Sequence, residues 1–189
     1  MREYLSQAWH IVRWPLFVIG VAFVALVAWR YTLLVEQDKT DAAVQAIHAN
    51  RLTREDVFGD LPPEPNKAEN DATLAGVDVN ANGIRDDVER AIYFKYQASA
   101  KEAAPAFQYA KALQMEFTDV YNSATLVAVL QEEGRAYICM EDGEDYIEDL
   151  VFNTEVRKQT REELYEKHMT SYGLPNSDFC DLDPDSLQN

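Results

Sequence analysis

Hydrophobic and polar positions divide the chain into an apolar block, a punctuated middle and a helical remainder. From Trp14 to Trp29 the sequence reads WPLFVIGVAFVALVAW, 16 residues without a charge. Extending it to Val35 admits only Arg30 and gives 22 residues, roughly 33 Å of helix, enough to cross the hydrocarbon core of a bilayer. Pro15 suits the first turn of such a helix, and Arg30 sits near one end, where a long side chain reaches the headgroups. Trp9, Trp14, Trp29, Tyr4 and Tyr31 cluster here, as in the aromatic belts of membrane interfaces. Leu5, Trp9, Ile11 and Val12 outline an interfacial helix within residues 1–13. A cleaved signal sequence is the competing reading, but cuts after Ala25 or Ala28 would put Phe23 or Leu26 where a small residue is preferred.

Beyond the block, residues 36–51 carry a helical pattern with Ala43, Ala46 and Ile47 on one face, predicting a stalk. Pro62, Pro63 and Pro65 then interrupt the periodicity, so residues 59–77 read as an extended strap or linker with Leu61, Leu74 and Val77 available for packing. The remainder predicts helices and no strand. Val88, Ile92 and Tyr96 mark a helix over 86–101. Ala106, Tyr109, Leu113, Phe117 and Val120 mark one over 105–121 that opens with Pro105. Leu126, Leu130 and Tyr137 mark one over 124–140 capped by Ser123. Ile147, Val151, Tyr165 and Tyr172 line a polar helix over 144–172, with a restart signalled by Thr160 and Glu163 and a stop at Gly173 and Pro175. Four helices with short loops predict a bundle.

Charge sharpens this division. The formal net charge is −16 over 189 residues. Residues 1–35 hold three arginines against one glutamate, net +2, while the rest holds 14 of the 17 basic and 32 of the 33 acidic side chains, net −18. Such acidity excludes nucleic acid as a partner, since phosphate binding needs Lys and Arg. The positive-inside comparison nearly ties, with Arg2 and Arg13 on one flank and Arg30 and Lys39 on the other. Cys139 and Cys180 either bridge, clipping the tail to the bundle, or stay as free thiols. Asp178, Asp181, Asp183 and Asp185 read as a solvated acidic tail, and residues 140–145 (MEDGED) as an interhelical turn. His10, His48 and His168 stand apart in sequence. Glu132 and Glu133 are adjacent and so face different ways on a helix. No nucleophile elbow, Walker loop, zincin or dinucleotide motif occurs.

The strongest chemical signal is DVNANGIRDDVE, residues 78–89. Asp78, Asn80, Asn82, Asp86 and Glu89 place side-chain oxygens at positions one, three, five, nine and twelve. Gly83 supplies the sharp turn at six and Ile84 a backbone carbonyl at seven. An oxygen set of this spacing suits a hard cation such as Ca²⁺. The segment resembles EF-hand-like calcium loops, and the thrombospondin type 3-like and bacterial versions more than calmodulin-type hands, through Gly83, Ile84, Arg85 and Asp86. TLAGVDVNANGIRDDVERAI is also similar to a segment found in bacterial proteins. The resemblance covers about 12 residues and implies a Ca²⁺ site of loop plus exiting helix, unpaired because Arg85 replaces the apolar residue that joins paired hands. Three carboxylates imply weak affinity, roughly 10⁻⁴–10⁻³ M.

The expected protein is therefore all-α. A single N-terminal transmembrane helix with its arm (1–35) is followed by a helical stalk (36–58), a proline-rich strap or linker (59–77), a small extracytoplasmic helical bundle with the EF-hand-like loop (78–175) and an acidic tail (176–189). The expected function is that of a membrane-anchored calcium-binding protein, non-enzymatic, with a structural or protein-interaction role as an accessory component of an envelope or membrane complex. Its N-terminus would be cytoplasmic and its body extracytoplasmic, in the bacterial inner membrane and periplasm. The alternatives are a calcium-responsive regulator and an envelope (cell-wall) hydrolase.

Overall fold

Helix α1 spans Arg2–Ala49, further than the apolar block alone requires, and encloses Pro15 instead of starting near it. The structure is a computed structural model; it describes residues 2–140, 142–174, 179–183 and 186–187, with side chains from Arg13 onward. The predicted packing of Leu5, Trp9, Ile11 and Val12, the stop at Pro175 and the tail residues Asp178 and Asp185 lie outside what is described. Among the described residues there are eight helices and no strand.

Two compact units are resolved, Met1–Ala42 and Ala43–Asn189. In the first, every side chain from Arg13 to Leu34 is exposed, Trp14 by 61% and Phe23 by 66%. The helix is long and apolar enough to cross a membrane. In water such a continuous apolar surface would be unfavourable along its whole length.

The second unit begins with the last turns of α1, whose Ile47 is buried. The expected stalk does not run on to residue 58. After Ala49 the chain turns, and α2 (Arg54–Phe58) starts under a reciprocal cap: the Asp56 N–H donates to Thr53 Oγ1 at 3.3 Å, and the Thr53 N–H to Asp56 Oδ2 at 2.7 Å. That Thr-x-x-acid pattern restarts a helix within one turn. Residues 59–77 include the single turn α3 (Lys67–Asn70), capped by Asn66. The segment is held down by donors from elsewhere. Arg90 Nη1 reaches the Pro62 carbonyl at 2.7 Å, and Gln114 Nε2 that of Ala75 at 2.9 Å. Arg157 donates to the carbonyls of Asn70, Thr73 and Leu74 at 2.7–3.1 Å.

Helices α4 (Asp86–Tyr96), α5 (Ala100–Thr118), α6 (Ser123–Cys139), α7 (Glu144–Val151) and α8 (Glu155–His168) complete the fold. α5 is its axis, touching α2, α4, α6 and α7. All its residues from Ala103 to Glu116 are buried, so the one-sided pattern expected for it is exceeded. It begins at Ala100 under a Ser99 cap, leaving Pro105 inside. The α6 cap is Asn122, one residue before the expected Ser123. The long helix expected over 144–172 breaks at 152–154, where buried Phe152 packs edge-to-face on Phe117 at 5.6 Å and Thr154 caps α8. α8 ends at His168, short of Gly173. Tyr137 and Tyr172, expected to face inward, are 52% and 43% exposed, although Tyr137 meets Tyr109 of α5 edge-to-face at 6.4 Å.

The tail departs most from expectation. Cys139 and Cys180 form a disulfide, with Cα atoms 5.2 Å apart, and this brings Asp181 under the bundle instead of into solvent. Its Oδ1 accepts from Arg51 Nη1 and Arg135 Nη2 at 3.1 and 2.9 Å, and its Oδ2 from the Leu52 N–H at 2.8 Å. Glu132 joins the cluster through Arg51, Arg135 and His48 Nδ1, while Glu133 points elsewhere. Leu187 is buried as well.

Replacing Cys139 and Cys180 together by Ala is expected to lower the unfolding free energy by about 4 kcal/mol for a loop of 41 residues, in the chain-entropy treatment. Urea unfolding with and without the bridge measures this; coincident midpoints would show that the bridge constrains nothing.

Candidate functional site

The segment 78–89 enters from the strap and leaves as α4. Two glycines make its path possible. Gly76 has φ +72°, and a Cβ there would overlap the Arg85 side chain at 2.1 Å. Gly83, at φ +87°, makes the turn at position six. Ala81 also takes a left-handed φ of +55°, a conformation that costs a non-glycine residue about 1–2 kcal/mol.

Side-chain oxygens fold the loop around itself. Asp78 Oδ1 accepts the Asn82 N–H at 3.3 Å and its Oδ2 that of Gly83 at 2.9 Å. Asn80 Oδ1 accepts the Asn82 N–H at 3.3 Å, and Asn82 Oδ1 that of Ile84 at 2.8 Å. Asp86 Oδ1 accepts the Val79 N–H at 3.0 Å, and the Asp86 N–H donates to the Val77 carbonyl at 2.8 Å. From the first turn of α4, Glu89 reaches back to receive Asn80 Nδ2 and Asn82 Nδ2, both at 3.2 Å on Oε2. Asn80, Asn82 and Glu89 therefore meet directly. Asp78 and Asp86 bind the loop backbone on either side. Ile84 buries its side chain completely, which fixes the backbone at position seven.

In this arrangement the carboxyls of Asp78, Asp86 and Glu89 act on one another as like charges, with Arg90 offsetting part of the charge at Asp86. Burial, reinforced by Asp86 and Asp78, raises Glu89 to about 7 against the amide hydrogen bonds of Asn80 and Asn82. Burial raises Asp86 too. Asp86 Oδ2 is buried with no hydrogen-bond partner, an unusual state for a carboxylate oxygen. The donors fit a hard cation in kind: all are oxygens, three carboxyl, two amide and one carbonyl. The two amides now offer nitrogen to Glu89; an amide turned about its last torsion offers oxygen instead. Among the described residues no group of three or more His, Cys, Asp or Glu side chains is assembled to hold a metal by itself, so a cation here depends on the asparagines and the backbone.

Position eight of the loop was legible only as a missing apolar residue. Arg85 is in fact fully buried and caps the end of α7, donating Nη1 to the Val151 carbonyl at 3.1 Å and Nη2 to that of Leu150 at 2.7 Å, while Asp87 takes its Nε. Nothing in a single sequence marks an arginine as buried when its acceptors lie some 65 residues away.

A cavity of about 610 Å³ in the second unit lies away from this loop and is lined by Lys95, Tyr96, Ser99, Glu102, Cys139 and Asp142 among others. The paired carboxyls with raised pKa, Glu116 and Glu133, do not line it; they are buried between helices.

The raised Glu89 gives a signed pH dependence. In metal-free buffer the folded loop keeps a proton between about pH 4.5 and 7 that the unfolded chain releases. Its contribution is full below that range and is lost as pH rises through about 7. Glu89→Gln, neutral throughout, is expected to lose less melting temperature than wild type between about pH 5 and 8. Equal losses in thermal melts with chelator would contradict this.

No family model, curated protein or solved structure matches the chain.

Proposed function

We propose that this is a membrane-anchored, extracytoplasmic calcium-binding protein with a structural or protein-interaction role, an accessory component of an envelope or membrane complex. The observation that carries the reading is the convergence of Asn80, Asn82 and Glu89 beside Asp78 and Asp86, an oxygen-rich loop whose carboxyls repel one another and whose Asp86 Oδ2 is buried without a hydrogen-bond partner. Asp78, Asn80, Asn82, Asp86 and Glu89, with the Ile84 carbonyl, would hold Ca²⁺, and the ion would offset that repulsion.

Two further features support the placement. The exposed apolar helix is of membrane-spanning length. The disulfide and a weak calcium loop both suit an oxidising, calcium-rich compartment outside the cytosol. Arg85, where a paired hand carries an apolar contact, is occupied in capping α7. The ion would therefore stabilise the junction of strap and α4 and has no partner hand to open.

Calcium added across roughly 0.1–10 mM is expected to raise the melting temperature of the wild type, and Glu89→Gln to abolish the rise. An undiminished rise in the variant would remove Glu89 from the ligand set; no rise in the wild type would remove the site. Deleting residues 1–35 is expected to move the protein from the membrane pellet to the soluble fraction on ultracentrifugation. Retention of the deleted form in the pellet would overturn the anchor.

A further inference from the structure

Four helices bring six polar side chains to one buried place away from the loop: Tyr109 and Glu116 from α5, Glu133 from α6, Glu148 from α7, and Arg161 and Tyr165 from α8. Arg161 donates Nε to Glu116 Oε1 at 3.2 Å and Nη1 to Glu148 Oε2 at 3.0 Å. Tyr165 Oη donates to Glu116 Oε1 at 3.3 Å, and Tyr109 Oη to Glu148 Oε1 at 2.7 Å. The guanidinium also lies over the Phe152 ring, 4.2 Å from its centroid.

These donors serve Glu148 and one oxygen of Glu116. Glu116 Oε2 and Glu133 Oε1 are buried and have no donor, and the two carboxyl groups, on the packed helices α5 and α6, act directly on each other. Two ionised carboxylates offer only lone pairs, so they repel at this range; with one proton between them, one becomes the donor the other lacks. The charge count agrees. One guanidinium faces three carboxyl groups, and one proton on the pair leaves the cluster at −1, with the surplus nearest the more exposed Glu148.

We propose that Glu116 and Glu133 form a proton-binding site that joins α5 to α6 and supports the seating of α8. The proton is taken from bulk water and held between Glu116 Oε2 and Glu133 Oε1; its loss places two negative charges side by side and loosens the joint. Burial and the neighbouring Glu116 charge push Glu133 well above the ordinary carboxylate range, while Arg161 opposes the rise at Glu116. With the pair raised in the folded state, stability is full below the ordinary carboxyl pKa and falls as pH rises through the raised value. Because the pair titrates as a unit, the proton belongs to both residues. The domain thus carries a tightening response to acid that is independent of calcium.

The test pairs infrared difference spectroscopy with thermal melts for wild type and Glu133→Gln, whose amide supplies Glu116 with a permanent N–H. Wild type near neutral pH is expected to show a protonated-carboxyl stretch that the variant lacks and that disappears on alkalisation. The variant is expected to melt at a higher temperature than wild type at alkaline pH and to lose part of the wild-type decline. Absence of any band lost on Glu133→Gln substitution, or identical pH dependence of the two melts, overturns the proposal. If that variant does not fold, Glu89→Gln serves, since it removes the loop carboxyl and keeps the pair: persistence of the band near pH 7 supports the site, and its absence overturns it.

Discussion

Between Ala103 and Glu116, α5 has no face toward water, yet five of its side chains there carry polar groups, among them Tyr109, whose hydroxyl donates to Glu148 of α7. A buried polar group without a partner costs about 1–3 kcal/mol, so each must be met from inside the protein, and each is met by a different segment. Gln108 exchanges hydrogen bonds with Phe179 and Asp181 of the tail. Lys111 holds the Arg51 carbonyl after α1. Gln114 holds the Ala75 carbonyl before the loop, although its own Oε1 lacks a donor. Glu116 holds Arg161 of α8. Short elements with little apolar area of their own are positioned by what the central helix requires.

Arginine does the complementary work at the periphery. Arg85 ties the loop to α7, Arg157 ties the strap to α8, and Arg135 ties the tail to α6. A guanidinium offers five donors in a fixed plane and remains charged when buried, so it satisfies several backbone carbonyls that a small core leaves exposed. Removing one partner from such a buried group typically costs about 3–5 kcal/mol. Asp87 is the counter-charge of Arg85, Asp71 that of Arg157, and Asp181 and Glu132 those of Arg135.

How much of this was legible in sequence follows from the range of each interaction. The apolar block, the helical character and the apolar positions Val88, Ile92, Leu113, Leu126, Ile147 and Val151 could be read because periodicity is local. Thr53 with Asp56 is a local cap signal, obscured by the prolines that follow. The break at Phe152 had a signal in Thr154, masked by the stronger pattern at Thr160 and Glu163. The burial of Arg85, Arg157 and Asp181, and the meeting of Glu116 with Glu133, had no local signal, since their partners come from other helices. In the candidate loop the spacing of Asp78, Asn80, Asn82 and Glu89 was visible; that Glu89 is received by two amide groups was not.

The clamp at Asp181 has a consequence for the order of assembly. Arg51 and Leu52, at the start of the second unit, are secured by Asp181, next to the disulfide at Cys180. Contacts that close a span of about 130 residues pay their chain entropy late. The N-terminal edge of the unit is therefore secured only after Asp181 has left the ribosome. Until then Arg51 and Leu52 lack these partners, and Gln108 of α5 lacks its cover from the tail.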